Sequence, residues 1–253
     1  MEFIKKIYKF FNDDTPYFAS SLSFFTIFSI FPLIALLIVI ISYSSFFSPY
    51  LGDIMSYIFD FINPTHSQEL SNFISTFLEN TNKLGNIGIY YLIFVFTMFF
   101  KDYEYVVNKI HNSKPRAIYK LFFLYLGFLI IIPILFAIFV LISNLTNNDY
   151  FIIRILAFLF IWGIFIILFQ ISTSGKLKFK AVLISSLITL IVLSISKSLF
   201  GYYVTSNTTY TTIYGSFSIA LFFFLWIYLS WSIYLYGLKL CALINKGDLK
   251  NEN

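Results

Sequence analysis

Long runs without any charged residue divide the chain, and their lengths predict the fold. Six such runs are mainly apolar, and each is bounded by segments that carry Lys, Arg, Asp or Glu. A helix needs about 20 mostly apolar residues to cross a bilayer, and a membrane-spanning segment must satisfy its backbone groups internally. The sequence therefore predicts an all-α polytopic membrane protein with six transmembrane helices. The spans are placed near residues 18–42, 84–100, 121–148, 155–175, 181–196 and 215–244.

The N-terminal segment has the spacing of an amphipathic helix. Its apolar residues share one helical face, and its lysines share the other. The apolar face holds Phe3, Ile4, Ile7, Phe10 and Phe11, and the basic face holds Lys5, Lys6 and Lys9. Residues 1–16 are therefore predicted to form a basic helix in the membrane interface. Packing of this helix on the protein itself is the alternative.

The loop after the first span, residues 44–84, is also predicted to be helical. Apolar residues recur at intervals of three and four from Leu51 to Ile62, and again from Leu70 to Leu78. Such a stripe must be buried, so these helices could cover the mouth of the bundle, lie on the membrane or contact a second copy of the chain. The polar segment 201–212 is predicted to be a loop, and residues 245–253 a tail. The whole chain, 1–253, forms one integral membrane domain in this interpretation.

Composition and charge agree with an integral membrane protein. Hydrophobic residues make up 59% of the 253 residues and charged residues only 11%, against about 25% charged residues in an average soluble domain. Fourteen of the 17 Lys and Arg residues fall in segments on the same side as the N-terminus. The positive-inside rule then places both termini in the cytoplasm. The net charge of +5 follows from this bias, so no nucleic-acid partner is predicted and the lipid bilayer is the expected surrounding.

The residues exclude several kinds of enzyme. A metal hydrolase needs carboxylates or histidines that converge on a metal, but His66 and His111 are predicted on opposite sides of the membrane. The carboxylates are scattered among loops and termini, and Cys241 is the only cysteine. No phosphate-binding glycine loop occurs. We therefore expect no catalytic residue, no metal and no cofactor.

Within the spans, prolines, small residues and two lysines are the candidates for a special role. A proline in a helix frees a backbone carbonyl and can kink the helix, and Pro32 and Pro133 lie in mid-span. Small residues four apart, such as Ala181 and Ser185, allow helices to approach closely or could line a cavity. Lys197 and Lys239 lie near span ends, where snorkelling to the interface is the expected behaviour.

The last span has an unusual face. Trp226, Ser230, Tyr234 and Gly237 recur at helical intervals. A face that mixes aromatic, hydroxyl and glycine residues is poorly suited to lipid, so we predict that it points into the bundle. Tyr203, Tyr210 and Tyr214 either belong to an aromatic belt or cap a cavity, and Gly215 suits a tight turn into the helix. The candidate cavity-lining or structural residues are Ser20, Ser23, Pro32, Pro133, Lys197, Tyr203, Tyr210, Tyr214, Gly215, Trp226, Tyr228, Ser230, Gly237 and Lys239.

Motifs in three parts of the chain carry a family resemblance. The C-terminal third holds Phe200, Tyr203, Tyr210, Ile213-Tyr214-Gly215-Ser216, Leu225-Trp226-Ile227-Tyr228, Trp231 and Gly237. The first span reads Ala19-Ser-Ser-Leu-Ser-Phe-Phe-Thr-Ile-Phe-Ser-Ile-Phe-Pro32, and Val107-Asn108-Lys-Ile110 follows the second. In combination these residues resemble the YihY/BrkB family of bacterial inner-membrane proteins.

The resemblance implies six transmembrane helices and an inner-membrane location. Members have been labelled ribonuclease BN, an assignment generally regarded as mistaken, and others are labelled virulence factors. The chain departs from the family where Gly237-Leu238-Lys239 stands in place of Gly-Ala-Glu. Any role that needs that Glu does not carry over.

Two functions remain open at this point. The first is transport or handling of a lipid or small molecule through a cavity between kinked helices. The second is a non-transporting envelope or assembly protein. A continuous, partly polar cavity at the centre of the bundle favours the first, and close packing there favours the second.

Overall fold

The computed structural model describes residues 8, 10–42, 51–63, 68, 71–72, 76, 85–144, 150–206 and 217–250. These residues form helices and no strand, which confirms the all-α prediction. We number the helices in chain order. They are α1 (Thr15–Ser42), α2 (Leu51–Ile62), α3 (Gly85–His111), α4 (Ile118–Asn144), α5 (Tyr150–Ser172), α6 (Phe179–Ser206) and α7 (Phe217–Lys250).

Four of the described helices, α4 to α7, are long and apolar enough to cross a membrane. Helices α1 and α3 have 28 and 27 residues and pack in the same bundle. The count of six spans therefore remains a prediction for α1 and α3. Large apolar side chains are exposed on the outward faces of α4, α5 and α6. Exposed apolar side chains in this number are typical of a surface that contacts a membrane or another protein.

Helix α7 is central to the bundle. It packs against α6, α1 and α3, while α5 packs between α6 and α4. The main core joins residues from these helices, among them Leu22, Phe96, Tyr125, Phe169 and Leu235, all fully or almost fully buried. The first and last long helices are therefore direct neighbours.

Three helices extend further than the sequence predicts. Helix α3 continues past Phe100 to His111, α6 continues through residues 201–206, and α7 continues to Lys250. The loop prediction for 201–206 is therefore wrong, and the tail predicted at 245–253 is helical as far as Lys250. Helix α3 shows the reason, because Tyr103, Val106 and Val107 keep its apolar face buried beyond Lys101. A charged residue on the opposite face does not end such a helix.

The bundle has two chemically different ends. One end, which we call the basic end, holds the α3–α4 and α5–α6 connections and the last turns of α7. Among the described residues, this end carries Lys109, Lys114, Arg116, Lys120, Lys176, Lys178, Lys180 and Lys246. The other end, which we call the α2 end, is covered by α2, because Met55, Phe59 and Ile62 pack on Ile34, Phe223 and Ile227. The remaining predicted helix of the 44–84 loop is described only at Gln68, Ser71, Asn72 and Thr76, which are helical.

The described part of the N-terminal segment packs on the protein. Phe10 and Phe11 lie against Tyr236 of α7, with ring centroids 5.5 and 5.0 Å apart. The helix breaks at residues 12–14, and α1 begins where Asp13 accepts hydrogen bonds from the Thr15 backbone and hydroxyl at 3.2 and 2.8 Å. An acidic side chain at a helix start satisfies otherwise unpaired N–H groups. The rest of 1–16 lies outside the described residues.

Candidate functional site

A cavity of about 300 Å³ lies at the centre of the bundle. It is lined by residues from α1, α3, α5, α6 and α7, and α2 contributes Phe61 and Ile62 at one end. No lining residue is charged, and eight of the fifteen are aromatic. These eight are Phe61, Phe99, Phe100, Tyr103, Phe165, Trp226, Trp231 and Tyr234.

Most polar groups of the lining are already paired with the protein. The Trp231 indole donates to the Thr26 hydroxyl at 2.7 Å, and that hydroxyl donates to the Leu22 carbonyl at 2.6 Å. The Trp226 indole donates to the Phe61 carbonyl at 2.8 Å, and Ser230 donates to the Trp226 carbonyl at 2.8 Å. The wall of the cavity therefore offers aromatic and aliphatic surface rather than free hydrogen-bond donors.

Two tyrosines form the floor of the cavity, on the side of the basic end. The hydroxyls of Tyr103 (α3) and Tyr234 (α7) are 2.5 Å apart. Behind them, Tyr125 is fully buried and its ring stacks on Phe100 at 4.2 Å. The Tyr125 hydroxyl lies near the Glu104 carboxylate but has no hydrogen-bond partner.

A buried ion pair lies beyond this floor. Glu104 on α3 has no exposed surface, and its carboxylate contacts the Arg116 guanidinium at 3.2 Å. The same carboxylate accepts the Arg116 backbone N–H at 2.7 Å, and the guanidinium also donates to the Thr173 carbonyl at 2.5 Å. A buried carboxylate is stable only when it is paired and hydrogen-bonded. Arg116 meets that need from the α3–α4 connection.

Asn108 extends the ion pair into a larger cluster. Its amide donates to the Glu104 carbonyl at 2.9 Å. Its side-chain oxygen accepts from the Ser113 hydroxyl at 2.6 Å and from the Ser174 backbone N–H at 3.0 Å. We call Glu104, Asn108, Ser113, Arg116, Thr173 and Ser174 the polar cluster. It joins the end of α3 to both connections at the basic end, and the left-handed backbone of Asn112 (φ 54°) makes the turn.

Sequence reasoning missed Glu104. The charge count assigned every carboxylate to a loop or terminus, because it treated Lys101 as the end of the second span. The signal that could have found it is the helical spacing of Phe96, Phe100, Glu104 and Asn108, which are four residues apart. That spacing puts the carboxylate on the same face as the buried rings.

The family model for virulence factor BrkB matches residues 7–253. This chain belongs to the BrkB family. It is 26% identical over 213 residues to a UPF0761 membrane protein of Glaesserella parasuis, covering 77% of this chain and 76% of the relative. It is 25% identical over 239 residues to a UPF0761 membrane protein of Haemophilus influenzae, covering 90% and 89%. A relative in Aggregatibacter aphrophilus is 27% identical over 245 residues, covering 92% and 87%. No solved structure matches the chain.

In this BrkB-family chain, both lysines at span ends have carboxylate partners. Lys239 binds Asp13 at 2.6 Å and donates to the Phe10 carbonyl, and it lies 4.7 Å from the centre of the Phe10 ring. Burial alone would raise the pKa of Asp13, but the hydrogen bonds from Lys239 and Thr15 and the charge of Lys239 lower this pKa below its usual value. Lys197 binds Asp60 of α2. The lysines therefore hold the N-terminal segment and α2 onto the bundle.

Gly237 permits a close approach of α7 to α6. A Cβ atom at this position would lie 1.9 Å from the Thr189 hydroxyl oxygen and 2.9 Å from the Thr189 methyl carbon. On α6, Ala181, Ser185 and Thr189 are all buried. These small residues let α6 and α7 approach closely, as is typical of membrane helix pairs.

Most of the other candidates that the structure describes lie away from the cavity. Of the fourteen, Trp226 and Ser230 line it. Ser20 and Ser23 donate to carbonyls of their own helix at 2.9 Å. Pro32 and Pro133 are buried in the bundle and do not line the cavity. Tyr228 packs against the main core, and Tyr203 is 43% exposed. Tyr210, Tyr214 and Gly215 lie outside the described residues.

The described residues form no metal site. Among them, no three His, Cys, Asp or Glu side chains lie close enough to hold a metal ion. His111 lies at the basic end, where burial and, to a smaller extent, the charge of Lys246 lower its pKa to about 4. Its imidazole is therefore neutral near pH 7. His66 lies outside the described residues.

Proposed function

We propose that this protein is a bacterial inner-membrane protein that binds the apolar part of a lipid or small molecule in its central cavity. The observation that carries the proposal is the cavity itself, with eight aromatic residues and no charged residue in its lining. Ligand sites in proteins are commonly concave, mostly apolar and roughly 300–1,000 Å³ in volume. Binding of this kind is a step that transport and lipid handling share.

The character of the wall favours an apolar ligand over a hydrophilic one. Burial of apolar surface contributes about 25 cal/mol per Å². A sugar or an amino acid would instead lose its hydrogen bonds to water, and the wall has few free groups to replace them. The cavity is more apolar than the transport hypothesis expects. This supports handling of lipids or apolar compounds within that hypothesis.

The proposal includes an orientation, with the basic end in the cytoplasm. The described Lys and Arg residues gather at that end, with Arg154 and Lys197 near the α2 end. Cytoplasmic loops carry the excess of positive charge in inner-membrane proteins.

Labelling with a membrane-impermeant maleimide tests the orientation. Cys241, the only native cysteine, is buried, so we expect little background. Asn112→Cys should react in inverted vesicles and not in intact spheroplasts. Tyr202→Cys, exposed at the opposite end of α6, should show the reverse. Reaction of Asn112→Cys in intact spheroplasts would contradict the orientation.

Quenching of tryptophan fluorescence tests the binding itself. In a Trp162→Phe background, the remaining tryptophans are Trp226 and Trp231, which both line the cavity. A brominated fatty alcohol should quench their emission saturably in detergent or nanodiscs. Ser230→Phe fills part of the cavity, and we expect it to abolish most of this quenching.

Ser232→Phe is the matched control for the filled cavity. Ser230 and Ser232 lie on the same helix, and each donates to a carbonyl four residues earlier, at 2.8 and 2.9 Å. Ser230 lines the cavity and Ser232 does not. Equal quenching in the parent and both variants, or none in the parent, would refute ligand binding in the cavity.

A further inference from the structure

We infer that the cavity selects lipophilic organic cations, such as quaternary ammonium or phosphonium compounds with apolar arms. The inference rests on the proposed function and names the class of ligand within it. Three features carry it, namely the density of aromatic rings, the sign of the charge behind the floor and the lack of free hydrogen-bonding groups.

The two tyrosines of the floor belong to a cluster of aromatic rings. The Trp231 ring is 5.8 Å from the Tyr103 ring and 5.7 Å from the Tyr234 ring, and Phe99 is 6.2 Å from Trp231. The interplanar angles are 52°, 84° and 55°, so the rings do not form a parallel stack. The face of an aromatic ring is electrically negative and attracts a cation within about 6 Å, and cages of such rings recognise quaternary ammonium groups.

The buried charge behind the floor also favours a cation in the cavity. Glu104 follows Tyr103 directly in α3. The Glu104 carboxylate has no exposed surface, whereas the Arg116 side chain that pairs with it is 21% exposed, so solvent screens the positive charge more than the negative one. The phenol oxygens of the floor add electronegative atoms at the same place. A cation that enters the cavity is therefore attracted, and an anion is repelled.

The paired polar groups decide which cations are accepted. A metal ion or a primary ammonium is strongly hydrated and needs oxygen atoms to replace its water. Thr26, Ser230 and Trp231 already have partners within the protein. A quaternary centre has no N–H group that must be satisfied, and its alkyl or aryl arms match the apolar wall. The geometry therefore favours a cation whose charged centre is surrounded by alkyl or aryl groups.

A set of matched compounds separates charge from shape. Benzyltrimethylammonium and neopentylbenzene differ only in the replacement of a cationic nitrogen by carbon, and benzenesulfonate carries the opposite charge. Each competes against the brominated fatty alcohol in the Trp162→Phe background. We expect half-displacement by the cation at a concentration about tenfold lower than by the neutral compound, and no displacement by the anion. A neutral compound that competes as well as the cation would overturn the inference while leaving cavity binding intact.

A variant tests whether the aromatic rings cause the preference for the cation over its neutral analogue. Phe99→Leu removes one aromatic face from the lining and keeps the wall apolar. The preference for the cation over its neutral analogue should fall several-fold, while the neutral compound binds as before. Phe224→Leu, an exposed position on α7, should leave the preference unchanged. An equal loss of both ligands in Phe99→Leu would assign the effect to packing and would also overturn the inference. Absence of quenching by the brominated alcohol itself would instead refute the proposed function.

Discussion

Replacement of Arg116 by Met is expected to lower the free energy of unfolding by about 3–5 kcal/mol. Glu104 has no exposed surface, and Arg116 supplies the charge that compensates its carboxylate. Met keeps an unbranched apolar stem and the backbone hydrogen bond to Glu104, but it leaves the buried carboxylate without a compensating charge. Chemical denaturation of the detergent-solubilised protein, followed by circular dichroism, measures the loss.

A second substitution shows whether the cost comes from the uncompensated charge. Glu104→Gln added to Arg116→Met removes that charge, so the double variant should recover a large part of the lost stability. Lys114→Met removes an exposed positive charge from the same connection and should change stability by less than about 1 kcal/mol. A double variant that is no more stable than Arg116→Met would contradict the role assigned to the ion pair.

Replacement of Gly237 by Ala is expected to destabilise the protein by about 1–3 kcal/mol, which is the usual cost of overpacking a core. The new Cβ would overlap the Thr189 hydroxyl and crowd its methyl group. Rotation of Thr189 offers no escape, because the side chain is branched at Cβ and its own Cβ lies 3.0 Å away. Thermal unfolding monitored in the same detergent measures the effect.

Two comparisons isolate the contact between α6 and α7. Thr189→Ala removes the hydroxyl and methyl groups that collide, so the pair Gly237→Ala and Thr189→Ala should be more stable than Gly237→Ala alone. Gly127→Ala places the same methyl group on α4, where nothing lies within 4 Å, and it should be neutral or slightly stabilising because Ala favours helix. A loss of stability in Gly127→Ala as large as in Gly237→Ala would show that the effect is not specific to this contact.

The parts of the fold that depend on lipid could be predicted from the sequence. An uncharged run such as 15–52 must contain a helix if it crosses a membrane, and the structure places α1 at Thr15–Ser42 within it. The ends of helices that leave the lipid could not be predicted in the same way. In α3, the side chains of Tyr103 and Val107 are buried by other helices, and that burial is decided by tertiary contacts which no local pattern reports.

The candidate site was predictable along one helix and not across helices. The spacing of Trp226, Ser230 and Tyr234 predicts one inward face on α7, and all three residues line the cavity. Their counterparts Tyr103 and Phe165 come from positions 131 and 69 residues distant from Tyr234. The pairing of Glu104 with Arg116 likewise depends on the turn at Asn112, which a hydropathy pattern does not contain.

The contact between α1 and α7 has a consequence for how the protein is made. The ribosome synthesises α1 before α7, yet both helices line the cavity. The cavity is therefore completed only after α7 has been synthesised, and until then α1 lacks its partner. Its hydroxyl groups do not depend on that partner for a hydrogen-bond acceptor, because Ser23, Thr26 and Ser29 each donate to a carbonyl of α1 itself. If α1 crosses the membrane as the sequence predicts, these hydrogen bonds let the nascent helix remain in lipid with its hydroxyl groups satisfied.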